Sequence, residues 1–122
     1  MGAIELTASN FEQTITENEM VLVDFWASWC GPCRQFAPIY EAASLQHDDI
    51  VFGSIDTEQE QQLSAAAQIS SIPTLMAFKK GQLVFNQAGA LPAPALEELV
   101  TALRNLDLDA VPAPPAADEQ AE

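Results

Sequence analysis

The sequence predicts an α/β fold, with a central mixed sheet of four to five strands and about four helices flanking it on both faces. Two apolar runs, 21–27 and 50–55, are each followed by a segment of helical character, the order that sets strands side by side in parallel. Further on, the apolar segments 75–78 and 83–85 are separated only by Lys79-Lys80-Gly81-Gln82, so the sheet gains an antiparallel hairpin. A last amphipathic stretch over 92–106 closes the pattern. At 122 residues the chain has room for one core.

Taken in order, Leu6–Gln13 opens a helix with Thr7 or Ser9 as N-cap, and Phe11 and Ile15, four apart, mark its buried side. Val21-Leu22-Val23-Asp24-Phe25-Trp26-Ala27 is apolar toward both faces except at Asp24, as a central strand is. Residues 33–46 read as a helix with Phe36, Tyr40 and Ala43 on one stripe; Pro38 lies inside it and is expected to kink it. A strand at 50–55 ends at Asp56-Thr57, and a Gln- and Ala-rich helix runs to about Ala67 with a solvated outer face. Ser71-Ile72-Pro73-Thr74 precedes the hairpin, whose turn takes its positive φ from Gly81. In the last helix Leu96, Leu99, Val100, Leu103 and Leu106 share a stripe. The domain therefore spans 1–106, and 107–122, rich in Ala, Pro and acids without periodicity, is expected to be a disordered tail.

Four basic residues face 18 acidic ones, a net charge of −14. Nucleic acid and anionic membranes need clustered Lys and Arg, so neither is an expected partner. No run is long enough to span a bilayer, and the N-terminus lacks the basic-then-apolar pattern of a signal peptide. The chain is accordingly expected to be cytoplasmic, where a lone cysteine pair is catalytic or metal-binding more often than structural.

Both cysteines lie in Trp29-Cys30-Gly31-Pro32-Cys33, between a buried strand and a helix. Thiols this close open and close a disulfide without moving the rest of the fold. Unpaired N–H groups at a helix start favour the thiolate, the reactive form. Gly31 permits the tight turn, and Pro32 suits a first helical turn that needs no donor. Structural zinc needs four ligands, and the chain offers two Cys and one His. Asp24, a carboxylate within an apolar strand, is expected to have a raised pKa.

Val-Asp-Phe-Trp-Ala before the cysteines, Trp-Cys-Gly-Pro-Cys, Pro38, Ile-Pro-Thr at 72–74, Lys-Gly at 80–81 and Gly89-Ala90 together resemble the thioredoxins, from about Leu6 to Leu106. Phe-Gly-Ser-Ile-Asp-Thr-Glu and Gly-Ala-Leu-Pro-Ala are similar in phrasing to actinobacterial thioredoxins. The resemblance implies the thioredoxin fold and a general protein-disulfide reductase. In it Cys30, taken as the more exposed thiol, attacks a target disulfide, and Cys33 resolves the mixed disulfide. It implies that Asp24 assists proton removal from Cys33 and that Pro73 is cis. Trp29, Gly31, Pro32, Ile72, Pro73, Gly89 and Ala90 would form a substrate-binding rim, and Trp26 would serve both site and core. It also implies no cofactor beyond the redox-active pair, with electrons from NADPH through a separate thioredoxin reductase, and disulfide-containing proteins as partners of a monomer.

One departure stands out: thioredoxins often carry a lysine on the strand near the buried Asp, and here Phe52 or Ser54 holds that place. Arg34 replaces the family's usual lysine after the second cysteine, and His47 is expected to be a solvated helix-end residue without a catalytic role. Two alternatives remain: an oxidant or isomerase of the same fold, and a binding module or holdase with incidental thiols. Gly-Pro between the cysteines resembles the reductants.

Overall fold

A strand apolar toward both faces belongs in the middle of a sheet, and Met20–Trp26 lies there, buried along nearly its whole length. The computed structural model describes residues 2–108. They run β1 (Ile4–Glu5), α1 (Phe11–Glu17), β2 (Met20–Trp26), α2 (Gly31–Gln46), β3 (Val51–Asp56), α3 (Gln61–Ala66), β4 (Thr74–Lys79), β5 (Gln82–Ala88) and α4 (Ala93–Asn105). The expected tail falls, from residue 109 onward, outside the described residues.

The five strands are ordered β1-β3-β2-β4-β5, parallel through β1, β3 and β2 and antiparallel from β2 to β5. Alternation along β2 divides the core. Leu22 joins Phe36, Tyr40, Phe52, Leu75, Leu96, Val100 and Leu103 beneath α2 and α4. Val21, Val23 and Phe25 join Leu6, Ile15 and Ile55 on the opposite face, with Phe11 and Leu63 packed against them. The stripe expected on α2 is buried, as are Leu96, Val100 and Leu103 of the one expected on α4, while Leu99 is half-buried and Leu106 is the C-cap beyond the helix; α2 runs its 16 residues through Pro38.

Four local expectations are corrected. Neither Thr7 nor Ser9 caps α1: their hydroxyls meet each other at 2.9 Å, while Asn10 holds the cap position and its Oδ1 accepts the Thr7 N–H at 2.7 Å. The chain before it contributes β1, whose Ile4 and Glu5 pair with Gly53 and Ser54. Lys79 is not a turn residue. It ends β4, 5% exposed, and its Nζ donates to Leu103 O at 2.7 Å, Arg104 O at 3.1 Å and Leu106 O at 2.7 Å, carbonyls at the C-terminal end of α4. The turn itself is Lys80-Gly81, both at positive φ. His47 is likewise not solvated: it caps α2, with Nε2 2.9 Å from Glu97 Oε1 and Nδ1 3.1 Å from Arg104 Nη2. Because guanidinium only donates, Nδ1 accepts and the Nε2–H faces Glu97.

Candidate active site

The loop leaving β2 turns at Ala27, whose carbonyl accepts the Cys30 N–H at 3.2 Å. Cys30 is extended (φ −89°, ψ 114°) and is the N-cap of α2, its Sγ accepting the Cys33 N–H at 3.1 Å. That is the place a Ser or Asp oxygen normally takes, so a thiolate at Cys30 receives a backbone donor and the positive end of a helix together. Cys30 and Cys33 form a disulfide.

As whole residues the two cysteines of the disulfide differ little in exposure. Cys30 is 4% and Cys33 3% exposed, because Ala27, Trp26 and Ile72 pack around both. Their surroundings differ instead. Cys30 Sγ lies 3.8 Å from Ile72 O, a position from which a reduced thiol could donate. Cys33 faces a cavity of about 470 Å³ behind α2, lined also by Asp24, Tyr40, Ser54, Arg34 and Glu41.

Asp24 stands opposite Ser54 on β3 and Leu75 on β4. It is 5% exposed, and its Oδ1 has no hydrogen-bond partner among the described residues. Burial lifts the carboxyl from 3.8 to about 7, as expected of an unpaired acid in an apolar strand. Tyr40 does not relieve it: its phenol donates to Gly53 O at 2.8 Å. Burial and the nearby Asp24 charge push that phenol upward. The register also settles which residue faces Asp24. Ser54 is its direct partner, and Phe52 packs edge-on against Tyr40, ring centroids 5.2 Å apart. Arg34 lines the cavity mouth, its Nη1 donating to Ser28 O at 3.0 Å.

The Ile72–Pro73 bond is cis. Pro73 is buried and its carbonyl accepts the Gly89 N–H at 2.7 Å, which brings Gly89, at φ +105°, and its neighbour Ala90 up to the loop beside the cysteines. Pro32, Gly89 and Ala90 are exposed, whereas Gly31 and Ile72 are half-buried. Trp29 is 65% exposed, yet its Nε1 donates to Glu58 Oε2 at 3.2 Å. A groove of about 510 Å³ runs from Trp29 and Ile72 past Thr57, Gln61, Ser64 and Ile69.

Sequence reasoning missed Glu58, Tyr40 and Glu41 as neighbours of the site. Tyr40 had a signal, standing seven residues after Cys33 on the same helix face. Glu58 had none, since its partner is 29 residues away. Among the described residues, no group of three or more His, Cys, Asp or Glu could hold a metal ion, and no helix is long and apolar enough to cross a membrane.

The Thioredoxin family profile matches residues 2–102. "Putative thioredoxin 2" of Streptomyces coelicolor is 53% identical over 110 residues, covering 90% of this chain and 82% of that protein. Thioredoxin 1 of a Nostoc species is 41% identical over 99 residues, covering 80% and 92%. Among solved structures, a mutant thioredoxin from Halobacterium salinarum superposes with a TM-score of 0.81 at 29% identity, over 87% of this chain and 94% of the other. Plasmodium falciparum thioredoxin gives 0.75 at 35% identity, over 81% and 96%.

Proposed function

Because the chain belongs to the thioredoxin family and is a thiol–disulfide oxidoreductase acting as a protein-disulfide reductase, we propose that Cys30 is its attacking thiol and Cys33 its resolving thiol. The observation that carries this assignment is the N-cap geometry: Cys30 Sγ, alone of the two, accepts a helix-start N–H. Cys30 thiolate attacks one sulfur of a target disulfide, and the other target sulfur leaves as thiolate. Cys33 then gives up its proton and attacks Cys30 Sγ. The second target sulfur leaves, the protein's disulfide forms, and the target holds both electrons. Asp24, facing the same cavity as Cys33, takes the Cys33 proton. A carboxyl poised near neutrality suits that step.

Trp29, Gly31, Pro32, Ile72, Pro73, Gly89 and Ala90 form the rim on which substrate rests. The couple itself is the redox centre, recharged by a separate NADPH-dependent thioredoxin reductase, in a cytoplasmic monomer of residues 1–106 followed by a tail. Insulin disulfide reduction driven by dithiothreitol tests the reading. The protein should accelerate it, Cys30→Ser should not, and Cys33→Ser should accumulate a mixed disulfide through Cys30. A mixed disulfide that forms equally through Cys33 would overturn the assignment. A double Cys→Ser variant with full biological activity would favour a binding module instead.

A further inference from the structure

The four basic residues are distributed so that none lines the groove beside Cys30. Lys79 is buried under the end of α4, Arg104 is held by Asp49 through Nε at 2.8 Å and Nη2 at 2.9 Å, and Lys80 occupies the hairpin turn. Arg34 is near the thiols but lines the rear cavity, with its Nη1 on Ser28 O. Next to the groove, adjoining its lining residues Trp29 and Thr57, stands Glu58 instead. Its carboxylate holds the indole of the exposed Trp29, and its backbone N–H is fixed by Asp56 Oδ1 at 2.9 Å. An indole N–H is a neutral donor, so the charge beside the groove is not cancelled. The groove itself is lined by neutral groups, Thr57, Gln61, Ser64 and Ile72 among them, and the Asp56 carboxylate adds to the negative charge next to Glu58.

We propose that this groove selects target segments carrying Lys or Arg beside the cysteine under attack, with Glu58 as the specificity-determining residue. The inference rests on the reductase reading and names its substrate class. The chain's net charge of −14 would speed the approach of any basic partner. Glu58 adds something different, a fixed charge next to the aromatic surface on which the segment lies, which rewards a cation only at that place. A guanidinium there also has the face of Trp29 to stack on.

The test is a stopped-flow comparison of reduced protein with three disulfide peptides that differ only in Lys-Arg, Ser-Ser or Glu-Glu flanking the cysteine. At low salt the basic peptide should react about tenfold faster than the acidic one, and the ratio should shrink as salt rises. Glu58→Gln keeps an acceptor for the indole and removes the charge, and should cut the ratio severalfold. Glu98→Gln, on the exposed side of α4, makes the same change in net charge and should leave the ratio nearly intact. Equal rates for all three peptides would overturn the proposal. So would a ratio that Glu58→Gln and Glu98→Gln change alike, since overall charge would then account for it. The Ser-Ser peptide separates the two readings: if it and both others go unreduced, the reductase assignment itself fails.

Discussion

Cys30 and Cys33 are three residues apart on one helix start and buried to nearly the same degree, yet they face opposite kinds of surroundings. On the Cys30 side are backbone donors, the Ile72 carbonyl, an exposed indole and an open groove. On the Cys33 side are an unpartnered carboxyl and a phenol already committed to a backbone carbonyl. Exposure therefore does not divide their labour. What distinguishes the two sides is charge: the helix tip favours a thiolate at Cys30, and in the proposed mechanism the buried Asp24 takes the Cys33 proton.

The sharpest way to break this contrast is to remove one sulfur. Cys33→Ser should stop turnover while leaving the attack rate on a disulfide peptide within a few-fold, read as a trapped adduct by mass spectrometry. Comparable loss of attack would mean that the two sides are not separable.

Next in size is Asp24→Asn. Below pH 3.8 the carboxyl is protonated in folded and unfolded chains alike, so it contributes no difference. From there to about pH 7 the unfolded chain ionises while the fold keeps its proton, so stability falls as pH rises and levels off above. A displacement from 3.8 to about 7 corresponds to about 4 kcal/mol. Urea melts of the oxidised variant should therefore show a gain of that order at pH 8 and little at pH 4. The same variant should slow resolution by Cys33 at neutral pH about tenfold or more and spare attack by Cys30. Identical pH slopes for wild type and variant would remove Asp24 from this role.

Gly53→Ala should act on the fold without distinguishing the sulfurs. A Cβ at Gly53 would stand 2.8 Å from Leu6 Cγ, and Leu6 is fully buried. A loss of about 1–3 kcal/mol is expected in denaturant melts, with the pH dependence of resolution unmoved. A shifted pH profile would show that the Asp24 side is sensitive to strand packing as well as to charge.

The smallest expected effect is the most specific. Ser54→Lys sets an ammonium on the strand directly opposite Asp24, where only a hydroxyl now stands. It should lower the carboxyl's midpoint by about one pH unit or more, visible by carboxyl NMR and as an earlier onset of the resolving step. An unmoved midpoint would mean that the lysine points to solvent and that Asp24 is governed by burial alone.

What could be read from residue order was whatever depends on neighbours in sequence. The continuous apolar run that buries β2 on both faces, the stripes of α2 and α4 and the Lys80-Gly81 turn are set by local composition, by the period of 3.6 and by local φ. The cysteine pair at a helix start and the odd carboxylate of β2 were legible for the same reason. Other features needed the chain to close on itself. β1 is two residues long, too short to show a period, and exists because β3 offers an edge. Lys79 looked like turn polarity until α4 ended above it, and His47 looked solvated until Glu97 and Arg104 arrived from 50 and 57 residues away. The near-complete burial of both cysteines, Ser54 rather than Phe52 across from Asp24, and Glu58 under Trp29 likewise depend on distant segments. Sequence alone determined which atoms do redox chemistry. Tertiary packing decided what surrounds each of them, because fields, cavities and desolvation depend on distance through space and not along the chain.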